Sequence, residues 1–545
     1  MSSEEDAPDS TSEFWADEAA RRVAESGRPP VVKGGVSPSG VPHVGNFNEV
    51  LRGAFVVRAL ERRDDISGEP RQVFTSDDRD PLRRVPHTVL SPEGELVELD
   101  AEERDELSEH LGKPYVDVPS PFGEGSWAEH FASFLRDDAE KLEVPVEFVS
   151  NDELYDDGRF DEPIRAALSN LDVSREVIAR HQRTAGDDYV PFMPICDDCG
   201  RITPTVTAVN LDDETVDYVC DEADLGGETI EGCGHSGTAT FREGKLPWRF
   251  EWPAQWMILN VGFEPFGKDH AEGSWESGVE IAEEVYDIKP PEPLVYEFFL
   301  VDGDKMSASA GNVYTVSDIL RYVEPTVLRY FFALDPKKQR DLSLADVHHL
   351  VNDFDRVEDA YYGREEAADS TEKLYAERVY EDLRSPTDDL SHEPVRPPYT
   401  FAAMVGVAED DEARLNTLRR SGHLPEDATE TQKQDALRRV ELARNWALDY
   451  DNQYAVRVLD EAPDTEFDED TRAAFGDLAD VVESGASPDE IQNAVFETAR
   501  EHDLDVGGFF GDGYRLFLGQ DSGPKLGPLL GALDREFVVE RLRSA

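Results

Sequence analysis

One short run constrains this chain more than any other. Residues 31–63, VVKGGVSPSGVPHVGNFNEVLRGAFVVRALERR, open on the apolar pair Val31 and Val32, pass through a Gly, Ser and Pro-rich turn at 37–46, and continue as an amphipathic helix near 47–63. A strand that ends in such a turn and opens a helix leaves backbone N–H groups converging on one spot, and that spot suits a phosphate. Gly40 and Gly45 let a ligand approach the backbone, and His43 adds a side-chain donor. The plainer reading of this stretch alone is an ordinary βα connection with a solvent-facing histidine.

The segments that follow repeat the alternation. RQVFTS (71–76) predicts a second strand, SWAEHFASFLRDDAEKL (126–142) a helix with a serine at its start, VPVEFVS a further strand, and 161–183 another helix. Strand, helix, strand order predicts a parallel, doubly wound sheet. Between residues 191 and 245 the pattern becomes short, turn-rich and β-prone, and then αβ alternation resumes. From about 315 onward no convincing strand run is visible, and helical periodicity continues past an exposed break at 384–398. A chain of 545 residues is too long for one core. The expected division is a disordered tail (1–12), an α/β domain in two parts (13–190 and 246–345) interrupted by an insertion (191–245), a helical connector (346–398) and a helical domain (399–545).

Charge restricts the chain further. The 119 Asp and Glu residues face 54 Lys and Arg, for a formal net charge of −65, spread along the whole sequence. Disorder would explain such acidity, but 27 Phe, 17 Tyr and 7 Trp together with regular apolar periodicity argue for a folded protein. Adaptation to concentrated salt fits better, because at molar salt the Debye length falls to about 3 Å and self-repulsion is screened. No run approaches the ~18 apolar residues of a membrane span. The acidic start MSSEEDAPDSTSE lacks the basic and apolar regions of a signal peptide, so a cytoplasmic location is expected.

All four cysteines, Cys196, Cys199, Cys220 and Cys233, fall inside the insertion, the first two as C-x2-C. Cytoplasmic thiols are poor candidates for disulfides, and four thiolates offer the tetrahedral set that a structural Zn²⁺ prefers. Cys220 and Cys233 are not a close pair, and His235 could replace either.

Two further stretches bear on the opening turn. PFGKDHAEGS (265–274) carries Gly267, Asp269 and His270 after a strand candidate, and an acidic residue there can hold ribose hydroxyls. VDGDKMSASAGN (301–312) presents Lys305 in a Ser and Gly-rich loop, where a lysine can offset phosphate charge developing in a transition state.

In this order the motifs resemble the class I aminoacyl-tRNA synthetases. His43-Val44-Gly45-Asn46 looks like the HIGH signature of that class, and Lys305-Met306-Ser307-Ala308-Ser309 like its KMSKS signature. The PSG-x-x-HVGN form, the GKDH turn, the KMS-x-S-x-GN loop and GYRLFLGQDSGPKLGP (513–528) are similar to the archaeal-type class I lysyl-tRNA synthetases over nearly the whole chain. The resemblance implies a Rossmann-like catalytic domain with a small zinc-binding insertion, followed by an all-α anticodon-binding domain. It implies lysine, Mg²⁺-bound ATP and tRNA(Lys) as partners; separately, with no apolar span, no membrane is expected, and of the open oligomeric states a monomer is favoured.

On that resemblance His43 and Asn46 donate to the ATP phosphates while Lys305, Ser307 and Ser309 hold pyrophosphate. Pro38, Ser39, Gly40, Gly45, Gly267, Asp269 and His270 complete the ATP site. Gly35 and Ser37 would hold the amino-acid end of the substrate. Trp248, Glu251 and Trp252 offer aromatic walls and a carboxylate for an ammonium, with Tyr296 a lesser candidate. The sequence departs from the class pattern at Ala308, where KMSKS has its second lysine, and at Ala310, where the lysyl family often has another. Lys305 would then carry more of the pyrophosphate contact, helped by Lys33 or a backbone nest. Arginines in RRSGH (419–423) and LRRVELARNW (437–446), with Arg541 and Arg543, are candidates to face RNA. The rivals are a glutamyl- or glutaminyl-type class I enzyme and a non-catalytic zinc-containing RNA-binding relative.

Overall fold

The computed structural model describes residues 14–182, 186, 188–224, 229–306, 313–364, 370–385, 392–408, 410–459, 461–463 and 465–545. The expected tail, and Ser307, Ala308, Ser309 and Ala310 of the lysine loop, lie outside the described residues.

A five-stranded parallel sheet is the frame of the first half. Its strands are β1 (Val31–Val36), β2 (Arg71–Ser76), β3 (Glu147–Ser150), β4 (Phe263–Gly267) and β5 (Glu292–Tyr296), in the spatial order β5-β4-β1-β2-β3. Central strands of such sheets are covered on both faces. Val32 and Val73 are accordingly fully buried, and even Lys33 is only 2% exposed. The helix Phe47–Glu61 lies so close on β1 that a Cβ at Gly34 would fall 2.8 Å from Glu49 Cβ. The expected helix at 126–142 is Trp127–Lys141, opened by a capping box in which Ser126 and Glu129 satisfy each other's backbone N–H groups.

The insertion forms a three-stranded antiparallel sheet, Ser236–Thr240, Thr215–Val219 and Val206–Asn210 in that order. Its entry and exit pair with each other, Met193–Pro194 against Gly244–Lys245, so the module leaves the α/β fold and returns at one place.

Three expectations need correction. The single helix expected over 161–183 is, in its described residues, two helices, Asp161–Ser169 and Leu171–His181, broken at Asn170. LVYEFFLV is two strands rather than one, β5 and Phe299–Val301. A strand does occur after 315: Arg340–Leu342 pairs in parallel with Phe299–Val301, and its Arg-Asp-Leu sequence has too little apolar alternation to announce it.

By compactness the chain forms two units, and it crosses between them repeatedly. The first comprises 1–317, 329–342 and 369–385, the second 318–328, 343–368 and 386–545. In the first, helix Ser370–Leu383 is tied to the α/β core through Asp382, which accepts from Arg62 at 2.6 Å and pairs with Arg378 at 2.7 Å. The second is helical, with an apolar core that includes Phe475, Leu478, Val495, Phe517 and Leu529, all essentially unexposed. It also holds a buried ion network. Arg439, 0% exposed, bonds Glu324 at 2.6 Å and both oxygens of Asp355. Burial alone would raise the Glu324 carboxyl, but Arg439 and Arg396 outweigh it and hold the group at about 2.

Candidate active site

The chain reverses direction across the sheet between β1 and β4, and in open parallel sheets ligands bind at that crevice, beyond the carboxyl ends of the strands. Both motif-bearing turns stand there. After β1 the chain enters a single 3₁₀ turn, Val44–Asn46, capped by His43. His43 Nδ1 accepts from the Gly45 N–H at 3.0 Å, and the His43 N–H donates to Asn46 Oδ1 at 2.9 Å. Burial lowers the His43 ring to about 4, so it is neutral near pH 7, and with Nδ1 accepting, its proton sits on Nε2. The turn therefore offers two outward donors, His43 Nε2 and the Asn46 amide. Gly45 is required for this geometry, since a Cβ there would lie 2.6 Å from the His43 ring. Trp127 steadies the approach by donating from Nε1 to the Pro38 carbonyl at 2.8 Å. Ser39 is exposed, and Gly40 borders open space.

The lysine loop meets this turn from both of its described ends. Met306 Cε lies 3.2 Å from the position a Gly45 Cβ would take, and the Val44 N–H donates to the Tyr314 carbonyl at 2.9 Å. Lys305 Nζ stands 4.2 Å from the centroid of Phe298, and Lys268 Nζ stands 5.6 Å from the same ring. Lys268, the lysine of the GKDH turn, is a second cation to which the sequence reading gave no role, and it pairs with Glu297.

After β4 comes the one-turn helix Lys268–Ala271, with Asp269 exposed and His270 partly so. The His270 ring lies 5.8 Å from Trp252 and 6.3 Å from Trp248, and the two tryptophans stack at 5.2 Å. The aromatic candidates and the GKDH turn are thus one wall.

Two candidates do not serve as expected. Glu251 is 0% exposed, accepts from Tyr155 Oη at 2.7 Å and pairs with Lys245 Nζ at 2.8 Å, so an internal ammonium already holds it. Lys33 cannot reach phosphate, because it is buried and paired with Glu264 at 3.0 Å. Trp252 donates to the same Glu264 oxygen at 2.7 Å.

The carboxylate the sequence reading missed is Glu49. Its Oε2 accepts from the Gly35 N–H at 2.9 Å, and its Oε1 accepts from Tyr296 Oη at 3.1 Å, joining Gly35 and Tyr296 in one cluster at the ends of β1 and β5. Ser37, two residues on from Gly35, is partly exposed. Burial raises the Glu49 carboxyl to about 7, against the opposing pull of the Gly35 N–H. Placing a cation beside it would reverse that shift.

In the insertion the four sulfurs lie within 4.8 Å of one another. Cys196 to Cys233 and Cys199 to Cys220 are both 3.7 Å, Sγ to Sγ, with no disulfide. A tetrahedron with metal–sulfur bonds of about 2.3 Å separates its sulfurs by about 3.8 Å, so the set fits Zn²⁺. His235 is engaged elsewhere, its Nε2 2.8 Å from Asp197.

Some basic residues expected to face RNA are committed inside the second unit. Arg439 is in the buried network, and Arg541, 6% exposed, donates to the carbonyls of Leu459, Glu461 and Leu516. Arg419, Arg420, Arg543 and the unanticipated Arg535 do line one groove, alternating there with Asp410, Glu412, Glu483 and Asp534.

Comparison with known proteins agrees with this geometry. Residues 13–384 match the family model described as tRNA synthetases class I (K). A lysine–tRNA ligase of Natronomonas pharaonis is 50% identical, with 97% of each chain covered. One of Haloarcula marismortui is 49% identical, again with 97% of each covered. One of Pyrococcus horikoshii is 33% identical over 97% of this chain and 99% of its own. With the signature turns meeting at the sheet's switch point and these matches along the chain, the protein belongs to the lysine family of class I tRNA synthetases.

Proposed function

We infer that this chain is a lysine–tRNA ligase that activates lysine with Mg²⁺-bound ATP and passes the lysyl group to the terminal adenosine of tRNA(Lys). The observation that carries this reading at the level of chemistry is the convergence of the His43 turn and the Lys305 loop. The lysine carboxylate attacks the α-phosphorus, the bond to the β-phosphate oxygen breaks, and pyrophosphate leaves. A ribose hydroxyl of the tRNA then attacks the lysyl carbonyl and AMP departs. No enzyme nucleophile is needed; positioning and charge stabilisation do the work. His43 Nε2 and the Asn46 amide donate to phosphate oxygens, Lys305 offsets the charge on departing pyrophosphate, and Gly267, Asp269 and His270 border the adenosine. Ser307 and Ser309 are assigned to pyrophosphate by motif. Trp248 and Trp252 wall the lysine chain, and Glu49 takes the place first given to Glu251 as partner of a substrate ammonium. The helical second unit is assigned to the anticodon. We place the enzyme in the cytoplasm, as a monomer.

Cys196, Cys199, Cys220 and Cys233 would hold a structural Zn²⁺ that cross-links a module with a small core. Cys199→Ser is expected to lower bound zinc below one equivalent and open residues 191–245 to limited proteolysis, measured by metal analysis and peptide mapping. Unchanged metal content would remove the assignment.

The activity itself is tested by ATP–pyrophosphate exchange at multimolar KCl with lysine, glutamate, glutamine or no amino acid, with and without tRNA. Exchange with lysine alone is expected. Exchange with none of them, in protein shown to be folded, would overturn the catalytic reading.

A further inference from the structure

In the second unit, Asp346, His348 and His349 form a further group able to hold a metal ion. One carboxylate oxygen and one ring nitrogen from each histidine all lie within 4.8 Å of one another. The three sit where a turn opens the helix His348–Tyr362, and the turn is built rather than loose. The Asp346 N–H donates to Ser343 Oγ at 3.3 Å, and the His349 N–H to the Asp346 carbonyl at 2.9 Å. Trp446 braces it from beneath. Its Nε1 donates to the carbonyls of Leu344 and Ala345 at 3.1 Å, and its ring lies 5.1 Å from that of His348. The imidazoles of His348 and His349 are 4.1 Å apart, centroid to centroid. His348 Nδ1 is shielded from solvent and has no hydrogen-bond partner among the described residues. Asp346 and His349 are exposed, which leaves the group open to solvent.

We propose that Asp346, His348 and His349 bind a borderline divalent cation such as Zn²⁺ or Ni²⁺, with remaining coordination positions left to water. Two imidazoles and one carboxylate favour such ions over Mg²⁺ or Ca²⁺, which take oxygen ligands. Imidazole coordination is a short-range bond, and so persists in salt that screens the surrounding acidic surface.

The experiment uses full-length, tag-free protein whose thiol site has first been filled with zinc, titrated with Ni²⁺ at multimolar KCl by calorimetry, with retained zinc measured afterwards. One Ni²⁺ beyond the retained zinc is expected, and His349→Ala should weaken its binding at least about tenfold. His349 is exposed, so this variant keeps the fold, while His348→Gln tests the shielded ligand. No Ni²⁺ uptake by the parent, or an unchanged isotherm in His349→Ala, would overturn the site.

Discussion

Lys245→Ala destabilises the first unit by about 3–5 kcal/mol, measured as a loss in denaturant midpoint at multimolar KCl. Lys245 is 1% exposed and lies between two buried carboxylates, Asp80 and Glu251. Burial pulls its ammonium down, but those two charges more than compensate and push it up, so it stays charged throughout the physiological range. Removing it strands both carboxylates where burial already raises Glu251. In the variant the Glu251 carboxyl sits further above its unfolded value. A carboxyl raised in the folded state is favourable while protonated, and its contribution is lost as pH rises through the folded pKa. The variant should therefore be less deficient at acid pH than at pH 8. A midpoint within error of the parent at pH 8 would show that the network is not what holds this corner.

Glu49→Gln raises the lysine concentration needed for half-maximal ATP–pyrophosphate exchange at least about thirtyfold, with that for ATP little changed. A substrate ammonium paired with Glu49 needs the ionised form, and the carboxyl of the unliganded protein titrates at about 7. Apparent lysine affinity should then fall roughly tenfold per pH unit below 7 and level off above it. Glutamine carries no such titration, so the variant's profile flattens. A parallel loss for ATP and lysine, or an unchanged pH profile, would assign Glu49 to holding the Gly35 backbone alone.

The contrast between Glu49 and Glu251 shows what a linear sequence conveys. The HVGN turn was legible as a strand-to-helix connection because its glycine, histidine and asparagine act on one another within four residues. The C-x2-C pair was legible for the same reason. Glu49 was not, since an acidic residue in the first turn of a helix is ordinary complement to the helix dipole. Its importance comes from Gly35 and Tyr296, the latter 247 residues away. Glu251 drew attention because tryptophans flank it, yet burial and Lys245, at the exit of the insertion, decide its state. Lys33 and Arg439 misled in the same direction. Each is a cation in a plausible place whose partner, Glu264 or Glu324, comes from a distant segment.

The repeated crossing of the chain between its two units sets an order for folding during synthesis. The first unit lacks the helix that ties Asp382 to Arg62 until residue 385 has left the ribosome. Segments 318–328 and 343–368 emerge earlier, yet their partners begin only at 386 and end at 545. At about 5–20 residues per second they wait on the order of ten to forty seconds, with Glu324 and Asp355 carrying charge that Arg396 and Arg439 will later cover. A nascent chain of this protein should thus complete its first unit before its second, and keep segments 318–328 and 343–368 open to solvent until residues 386–545 have been made.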